Sequence, residues 1–276
     1  MKSLLHLSDI NKHDVYEIFR IADDIQQGKY KNTFAGKTVV MFFPDSSIRT
    51  RVTFEKGIYL LGGQTVLFPP ASLDKKEDIR DVAGYLNNWA DAIIVRHKDM
   101  KLLECMAEYS AAPVINAMTD TEHPCEILSD LYALSKIRDD ITADKYLFVG
   151  ADGNIGRTWR EAAALMGFDL LHCCPDKHKM DGVAHCEQLS AAVAGRDIIC
   201  TDSIPAEKLS DFSGYQITSD IMAAANDGAV LNPCPPFFRG EEVSAEVIES
   251  SCFVGYGFKK YLLQIQQAVL IWAMST

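Results

Sequence analysis

Three separated stretches of the chain carry side chains that could hold an anion. Residues 46–51 are Ser-Ser-Ile-Arg-Thr-Arg and open a segment of helical periodicity, Arg96 follows an apolar run, and His123 precedes Pro124 in a further turn. A helix N-terminus presents unbonded N–H groups and the positive end of its dipole, and a guanidinium matches the oxygens of phosphate. We therefore expect a phosphate-type anion here. The alternatives are a serine N-cap with surface arginines, a solvated strand end and a capping histidine.

Each of these stretches follows a segment that predicts a buried β-strand. Residues 36–43, 92–95 and 113–116 are short apolar runs, and segments with helical periodicity separate them. In open α/β sheets, ligands bind beyond the carboxyl ends of the strands. The order of elements therefore predicts that the three stretches converge in space and form one positive site.

The same alternation restarts after the polar segment 138–145. Further strands are predicted at residues 145–149, 169–174, 196–201, 229–231 and 252–254, and a long helix at 124–137 precedes them. Alternating strands and helices indicate a parallel sheet covered on both faces. We predict an α/β protein of two doubly wound parallel-sheet domains, residues 1–137 and 138–258, with the active site in the cleft between the domains.

Composition narrows the classes of partner and compartment. The 276 residues contain 27 Lys and Arg against 38 Asp and Glu, a formal charge of −11, which argues against binding to nucleic acid or to an anionic membrane. No apolar run is long enough to span a membrane, and acidic Asp9 comes too early for a signal peptide. Eight cysteines without a CxxC pair predict a reducing cytoplasm.

A local cluster of possible metal ligands has a simpler explanation. Its members are His172, Cys173, Cys174, His178, His185 and Cys186. Zinc could use these ligand types, but adjacent cysteines on a strand point to opposite faces. We therefore expect core cysteines and surface histidines rather than a metal site.

The motifs together resemble one family. Ser47-Ile-Arg-Thr-Arg51 followed by Val52-Thr-Phe-Glu55 is similar to the Ser-Thr-Arg-Thr-Arg…Phe-Glu signature of aspartate and ornithine carbamoyltransferases. Arg96 and the His123-Pro-Cys-Glu126 segment are similar to that family's carbamoyl-phosphate arginine and its His-Pro-x-Gln helix. Asn232-Pro-Cys-Pro235 is similar to its His-Cys-Leu-Pro segment. Order and spacing agree along nearly the whole chain.

The resemblance implies a site for carbamoyl phosphate in the N-terminal half, with the final helix (about residues 259–276) packing back on that half. Its residues would be Ser47, Ile48, Arg49, Thr50, Arg96, His123, Glu126 and Cys234, with Arg49, Arg96 and His123 as the catalytic groups. It further implies a homotrimer in which the loop at residues 71–78, through Lys75 or Lys76, serves the adjacent subunit. No metal or organic cofactor is implied. Arg51 is expected to pair with Glu55, and the Cys234–Pro235 bond is expected to be cis.

The second domain would bind the amine acceptor. By resemblance, Asn154 and Arg157 are candidates for its carboxylate and Asp202 for its ammonium group. A carboxylate at position 202 repels a dicarboxylic substrate and attracts a cationic one, so the acceptor is expected to be an ornithine-like amino acid or diamine. The spacing Gly150-x-x-Gly153-x-x-Gly156 also suggests a dinucleotide loop, although it is not GxGxxG.

Three hypotheses follow for the function. The first is a carbamoyltransferase that makes a ureido product and phosphate. The second is a non-catalytic paralogue that binds an anion or a protein partner, because the family pattern changes at Glu126, Asn232 and Leu262. Ile48 also replaces a threonine of the pattern, but it leaves a backbone N–H. The third, least favoured, is a nicotinamide-dependent dehydrogenase that uses the glycine-rich turn.

Overall fold

The computed structural model describes residues 2–275, in which strands and helices alternate almost without exception. The strands are β1 Thr38–Phe42, β2 Gln64–Phe68, β3 Ala92–Arg96, β4 Val114–Met118, β5 Lys145–Val149, β6 Asp169–Cys173, β7 Ala184–Cys186, β8 Ile198–Thr201 and β9 Val230–Pro233. The helices are α1 Lys12–Gln26, α2 Ile48–Leu60, α3 Ile79–Leu86, α4 Met100–Tyr109, α5 Pro124–Leu134, α6 Asn154–Met166, α7 Leu189–Val193, α8 Ser219–Ala223, α9 Ala245–Ile248 and α10 Tyr261–Met274. Two separate parallel sheets result. The prediction of a two-domain parallel α/β protein is confirmed.

The chain divides into two units. The first unit contains the described residues up to 133 together with those from 260 onwards, and the second unit contains residues 134–259. None of the helices within residues 2–275 has the length and apolar character needed to cross a membrane. The eight cysteines are all free thiols.

The sheet of the first unit has the strand order β2-β1-β3-β4, and all its pairs are parallel. Strands β1, β3 and β4 are almost wholly buried, as expected for strands with helices on both faces. Strand β2 lies at the edge and is mostly exposed. The carboxyl ends of β1, β3 and β4 therefore meet at one edge of the sheet, where the three predicted stretches begin.

Helix α10 completes this first unit rather than the second. It packs against α1 and α2. Gln267 Nε2 donates to the carbonyl oxygen of Gly57 at 2.9 Å, and Trp272 Nε1 donates to Asp14 Oδ1 at 3.2 Å. Gly57 is required at this contact, since a Cβ there would lie 2.9 Å from Gln267 Cγ.

The sheet of the second unit has the order β7-β6-β5-β8-β9, again with parallel pairs only. From β5 the chain runs first to one side, through β6 and β7, and then to the other, through β8 and β9. The strand order thus reverses between β5 and β8. Such a switch point is where open α/β sheets bind ligands.

Three details of the sequence prediction differ from the structure. The helix predicted at 124–137 ends at Leu134. Residues 252–254 form only an isolated bridge, between Phe253 and Leu231, and not a strand. Strand β7 was not predicted, because its three residues, Ala-His-Cys, lack an apolar pattern and gain their extended conformation from pairing with β6.

Candidate active site

The first unit brings two of the predicted anion-binding stretches into direct contact. Arg96, the last residue of β3, donates from Nη1 to Ser47 Oγ at 3.0 Å and to Thr50 Oγ1 at 3.4 Å. Ser47 and Thr50 are buried, and Arg96 is half-buried. Strand β1 delivers Ser47 and β3 delivers Arg96 to the same edge because they are neighbours in the sheet. Hydroxyls and a guanidinium so placed can donate several hydrogen bonds to one anion.

The N-terminus of α2 has no side-chain cap. Ser47 occupies the N-cap position, but its hydroxyl does not bond to the first turn of the helix. The serine-cap alternative is therefore wrong for Ser47, whose Oγ instead accepts from Arg96. The N–H of Ile48, the first helical residue, donates to the Ser46 carbonyl at 2.9 Å. Because no side chain caps the helix, the next N–H groups of the first turn remain as donors for a negatively charged group.

Arg49 and Arg51 differ in their availability. Arg51 Nε donates to Glu55 Oε1 at 2.8 Å, which confirms the predicted pairing. Arg49 is exposed, and within residues 2–275 its guanidinium has neither an ion pair nor a hydrogen bond. Ile48 between Ser47 and Arg49 is 71% exposed, so its side chain contributes little packing here. The charge of Arg49 remains available to a ligand.

The third stretch is a tightly closed turn. Thr119 N donates to the Glu122 carbonyl at 2.8 Å, and Glu122 N donates back to Thr119 Oγ1 at 3.1 Å. His123 follows, and α5 begins at Pro124 as expected for proline in a first helical turn. His123 and Glu126 are buried, with exposed fractions of 6% and 5%. The backbone around His123 is thereby fixed from both sides.

His97, the residue after β3, anchors the loop that carries Lys75 and Lys76. His97 Nδ1 accepts from Asp99 N at 3.1 Å, so its proton is on Nε2, which donates to Asp74 Oδ1 at 3.0 Å. His97 is buried, whereas Lys75 and Lys76 are exposed and make no ion pair within the described residues. The loop is anchored beside Arg96 while its lysines extend into solvent.

In the second unit, the strand–helix turn after β5 contains Asn154 and Arg157. Arg157 donates from Nε to Asp152 Oδ1 at 2.7 Å and from Nη2 to Asp152 Oδ2 at 2.8 Å. This two-point ion pair raises the pKa of Arg157, so the guanidinium stays charged while the carboxylate of Asp152 compensates that charge. Asn154 is the first residue of α6. Arg157 thus already has a carboxylate partner inside the chain.

The glycines of this turn serve packing. A Cβ on Gly156 would lie 2.6 Å from Phe148 Cε1 and 3.0 Å from Met180 Sδ, and one on Gly150 would lie 3.1 Å from Phe148 Cζ. These glycines allow α6 to approach β5 closely. Close packing explains Gly150 and Gly156 without a bound dinucleotide. The glycine spacing therefore no longer supports the dehydrogenase hypothesis.

A cavity of about 460 Å³ lies at the switch point of the second sheet. Its wall includes Val149 at the end of β5 and Ile204 just after β8. The other described residues of the wall are Leu209, Phe212, Ser213, Gly214, Tyr215, Gln216, Gly240, Glu241 and Glu242. Two of these described residues are acidic, two are aromatic and none is basic. Glu242 is 4% exposed, and burial raises its pKa. Asp202, two residues before Ile204, is half-buried, and its Oδ1 accepts from Ser203 N at 2.9 Å. Glu241 and Glu242 were not predicted as site residues, because they come from a loop after β9.

The segment after β8 and β9 corrects one prediction. The cis peptide bond is Pro235–Pro236, not Cys234–Pro235 as expected from the resemblance. Both are X–Pro bonds, for which the cis form costs little, so sequence alone could not choose between them. Cys234 is buried, and its N–H donates to the Thr201 carbonyl at 2.8 Å. Asn232 and Leu262 are also buried.

The histidine and cysteine cluster forms a hydrogen-bonded core. The expectation of core cysteines holds for Cys173 and Cys174, whereas the expectation of surface histidines is wrong for His172, which is fully buried. Met180 N donates to His172 Nδ1 at 3.2 Å, so His172 Nε2 carries the proton and donates to the Gly150 carbonyl at 2.8 Å. His185 Nε2 lies 2.9 Å from the carbonyl of Cys174. Burial lowers the pKa of His172 and raises that of Cys174 to about 12. The bonds of His172 and His185 to the backbone hold this part of the second unit together.

Comparison with known proteins decides the family. Residues 2–136 match the carbamoyl-P binding domain of aspartate/ornithine carbamoyltransferases, and residues 143–273 match the Asp/Orn binding domain. The chain belongs to the aspartate/ornithine carbamoyltransferase family. It is therefore a transferase of one-carbon groups, in this family the carbamoyl group. The predicted family is confirmed.

Individual relatives lie on the ornithine side of the family. The chain is similar to the ornithine carbamoyltransferase of Methanobrevibacter smithii, at 33% identity over 98% of both chains. It is also similar to the structure of the Pyrococcus furiosus ornithine carbamoyltransferase, with a TM-score of 0.91 and 29% identity over 98% of this chain and 96% of that one. The Thermus thermophilus enzyme superposes with a TM-score of 0.93 over 100% and 99% of the two chains, and at 24% identity it shows the common fold.

Proposed function

We propose that this chain transfers the carbamoyl group of carbamoyl phosphate to an amine of an ornithine-like amino acid or diamine and releases a ureido product and phosphate. The observation that carries this proposal is the contact of Arg96 with Ser47 and Thr50 at the uncapped N-terminus of α2. The family to which the chain belongs supplies the reaction class.

In the proposed reaction, Ser47, Arg49, Thr50 and Arg96 hold the phosphate. The N–H of Ile48 is not given this role, because it already donates to the Ser46 carbonyl at 2.9 Å. Arg96, Thr50 and His123 donate to the carbonyl oxygen of the carbamoyl group, where negative charge develops during attack. The amine nitrogen forms a bond to the carbamoyl carbon as the bond from that carbon to the phosphate oxygen breaks. The departing phosphate takes the proton of the amine. Positioning and charge stabilisation are enough for this step, which needs no side-chain nucleophile.

The second unit supports a cationic acceptor. Asp202, Glu241 and Glu242 are acidic residues, and none of the described residues in the wall of the cavity at the switch point is basic. Arg157, the cation expected to bind a carboxylate, is paired with Asp152. Since like charges oppose binding and opposite charges favour it, we infer that an ammonium group is bound near Asp202, with Asn154 as a polar partner of the acceptor.

We also infer a homotrimer in the cytoplasm. Exposed apolar side chains on the first unit support an oligomer interface: Val52 and Tyr59 on α2, Val66 on β2, Tyr85 on α3 and Trp89 after it. Lys75 and Lys76 would then serve the neighbouring subunit. Eight free thiols support a reducing compartment. Light scattering should give three times the chain mass, and a monomer would contradict the proposed role of both lysines.

A non-catalytic paralogue is the second candidate. Glu126 adds a buried carboxyl group where the family has glutamine, and Leu262 is buried where an arginine is expected. Both changes lower the positive charge available to carbamoyl phosphate. This candidate predicts that an anion binds without subsequent transfer.

Calorimetry and an acceptor screen separate the candidates. Carbamoyl phosphate should bind, and a colorimetric ureido assay across diamines and amino acids should find at least one cationic acceptor. Binding without turnover on any amine would favour the paralogue, and no binding would end the first proposal. Activity on aspartate alone would contradict the role given to Asp202.

A further inference from the structure

A buried charge pair joins the N-terminal segment to the turn that carries His123. Glu122 Oε1 lies 2.7 Å from His6 Nδ1, and Glu122 Oε2 accepts from the backbone N–H of Leu7 at 3.1 Å. The side chain of Glu122 is 11% exposed and that of His6 is 26% exposed. A carboxylate this deeply buried needs a partner of opposite charge or several donors, and the N-terminal segment supplies both.

The N-terminal segment is held firmly enough to act as a support. Leu4 N donates to the Val114 carbonyl at 3.0 Å, and Asn116 N donates to the Leu4 carbonyl at 2.9 Å, so the segment runs beside β4. Asn116 Nδ2 donates to the Leu5 carbonyl at 2.8 Å. The segment therefore reaches His6 as an extension of the sheet, at the edge where β4 ends.

Both ring nitrogens of His6 face carboxylates. In addition to the contact with Glu122, Nε2 lies 3.4 Å from Glu104 Oε1 on α4. Asp9 Oδ2 accepts from the backbone N–H of His6 at 2.8 Å and adds a third negative charge. Only a protonated imidazolium can donate from both nitrogens. Burial opposes this protonation, but Glu122, Asp9 and Glu104 together raise the pKa of His6 above its ordinary value.

The turn transmits the position of Glu122 to His123. The reciprocal bonds between Thr119 and Glu122 close the turn on one side of His123. On the other side, the His123 carbonyl accepts the N–H of Glu126 at 3.2 Å, which begins α5. Since His123 directly follows Glu122, a shift of the Glu122 backbone moves the His123 side chain.

We propose that His6 and Glu122 are positioning residues that hold His123 in place for the carbamoyl carbonyl. In this proposal neither His6 nor Glu122 contacts the substrate. Protonated His6 compensates the charge of Glu122, and loss of that proton as the pH rises loosens the turn. The inference rests on the proposed function for the role of His123, but the placement of His123 can be tested without substrate.

The test uses the full chain with the variants Glu122→Gln and His6→Asn. Glu104→Gln is the matched control, because it also removes a carboxylate facing His6 but does not touch the turn. A misplaced catalytic group lowers rates by about tenfold to a hundredfold, and we expect kcat/KM for carbamoyl phosphate to fall in that range in both variants. Glu104→Gln should stay within about threefold of wild type, as expected for an exposed and screened pair.

Three further readouts separate positioning from a general loss of structure. The double variant should lose no more than either single variant, because both act through one contact. The wild-type pH profile should have an alkaline limb that His6→Asn lacks. NMR titration of the His123 ring without ligand should shift in Glu122→Gln and His6→Asn and not in Glu104→Gln. If Glu122→Gln fails to fold, the more exposed His6→Asn carries the test.

The outcomes distinguish the two proposals. Wild-type protein that fails to bind carbamoyl phosphate would overturn the proposed function, while the His123 titration would still measure placement. Unchanged kinetics and an unchanged His123 titration in both variants would overturn the positioning roles. An equal effect of Glu104→Gln would attribute the change to surface charge and would also overturn them.

Discussion

The carboxyl edges of the two sheets are built alike but differ in how their cations are used. At the edge of the first sheet, Arg49 makes no ion pair within residues 2–275, and Ser47 leaves the N-terminus of α2 uncapped. At the edge of the second sheet, Arg157 is held by both oxygens of Asp152. The same strand–turn–helix geometry thus offers positive charge in one unit and withholds it in the other. The contrast fits one site for an anion and one for a cation.

Removing Arg49 tests the positive edge most directly and should have the largest effect. Arg49→Ala should lower transition-state stabilisation by about 3–5 kcal/mol, as for an arginine that pairs with the phosphate during the reaction. Steady-state kcat/KM for carbamoyl phosphate measures it. Arg51→Ala is the control, since Arg51 already pairs with Glu55, and should cost about 1 kcal/mol or less. Equal losses of kcat/KM in the two variants would show that the anion does not bind where we propose.

The acidic edge is tested by Asp202→Asn. A hydrogen bond to a charged partner contributes about 1.5–3 kcal/mol, so kcat/KM for the amine should fall by about tenfold to a hundredfold. Calorimetry should give an unchanged affinity for carbamoyl phosphate. Asp152→Asn is the opposite change, because it releases Arg157 and should improve the use of amines that carry a carboxylate. If Asp152→Asn instead lowers the rate with an acceptor that carries a carboxylate, the contrast drawn between Arg49 and Arg157 is wrong.

The glycine-rich turn of the second unit distinguishes packing from ligand binding. Gly156→Ala places a methyl group against Phe148 and should destabilise the protein by about 1–3 kcal/mol, as overpacking does. Urea unfolding measures this. At Gly153 the nearest atom to an added Cβ is the Ala151 carbonyl oxygen at 3.8 Å, and φ is −154°. Gly153→Ala should therefore change stability by about 0.5 kcal/mol or less.

A smaller effect, dependent on pH, is expected from His6 in the first unit. Its pKa is raised in the folded protein above the ordinary value of 6.5. Its contribution to stability is therefore complete below pH 6.5 and is lost as the pH rises through the folded pKa. The difference in unfolding free energy between wild type and His6→Asn should shrink with rising pH. A difference that is constant or grows with pH would contradict the protonated His6–Glu122 pair.

Much of the fold was predictable because buried parallel strands are short apolar runs. The segment 145–149, for example, was predicted with the bounds that the structure has. Strand β7 and the bridge at Phe253 were not, because their conformation depends on neighbours distant in sequence. In the site, residue types pointed to Arg49, Arg96 and His123. They could not show that Arg157 has an internal partner.

The sequence by itself determined the parallel α/β architecture and the family, and it supplied the residues that we propose to hold an anion. Periodicity and motif spacing are local, and they are written in the order of the residues. Only the tertiary structure decided which charges stay available. The pairs Arg157–Asp152 and His6–Glu122 and the hydroxyl partners of Arg96 depend on distances of a few ångströms between side chains. Coulomb and hydrogen-bond energies are set by those distances, and His6 and Glu122 are 116 residues apart in the chain.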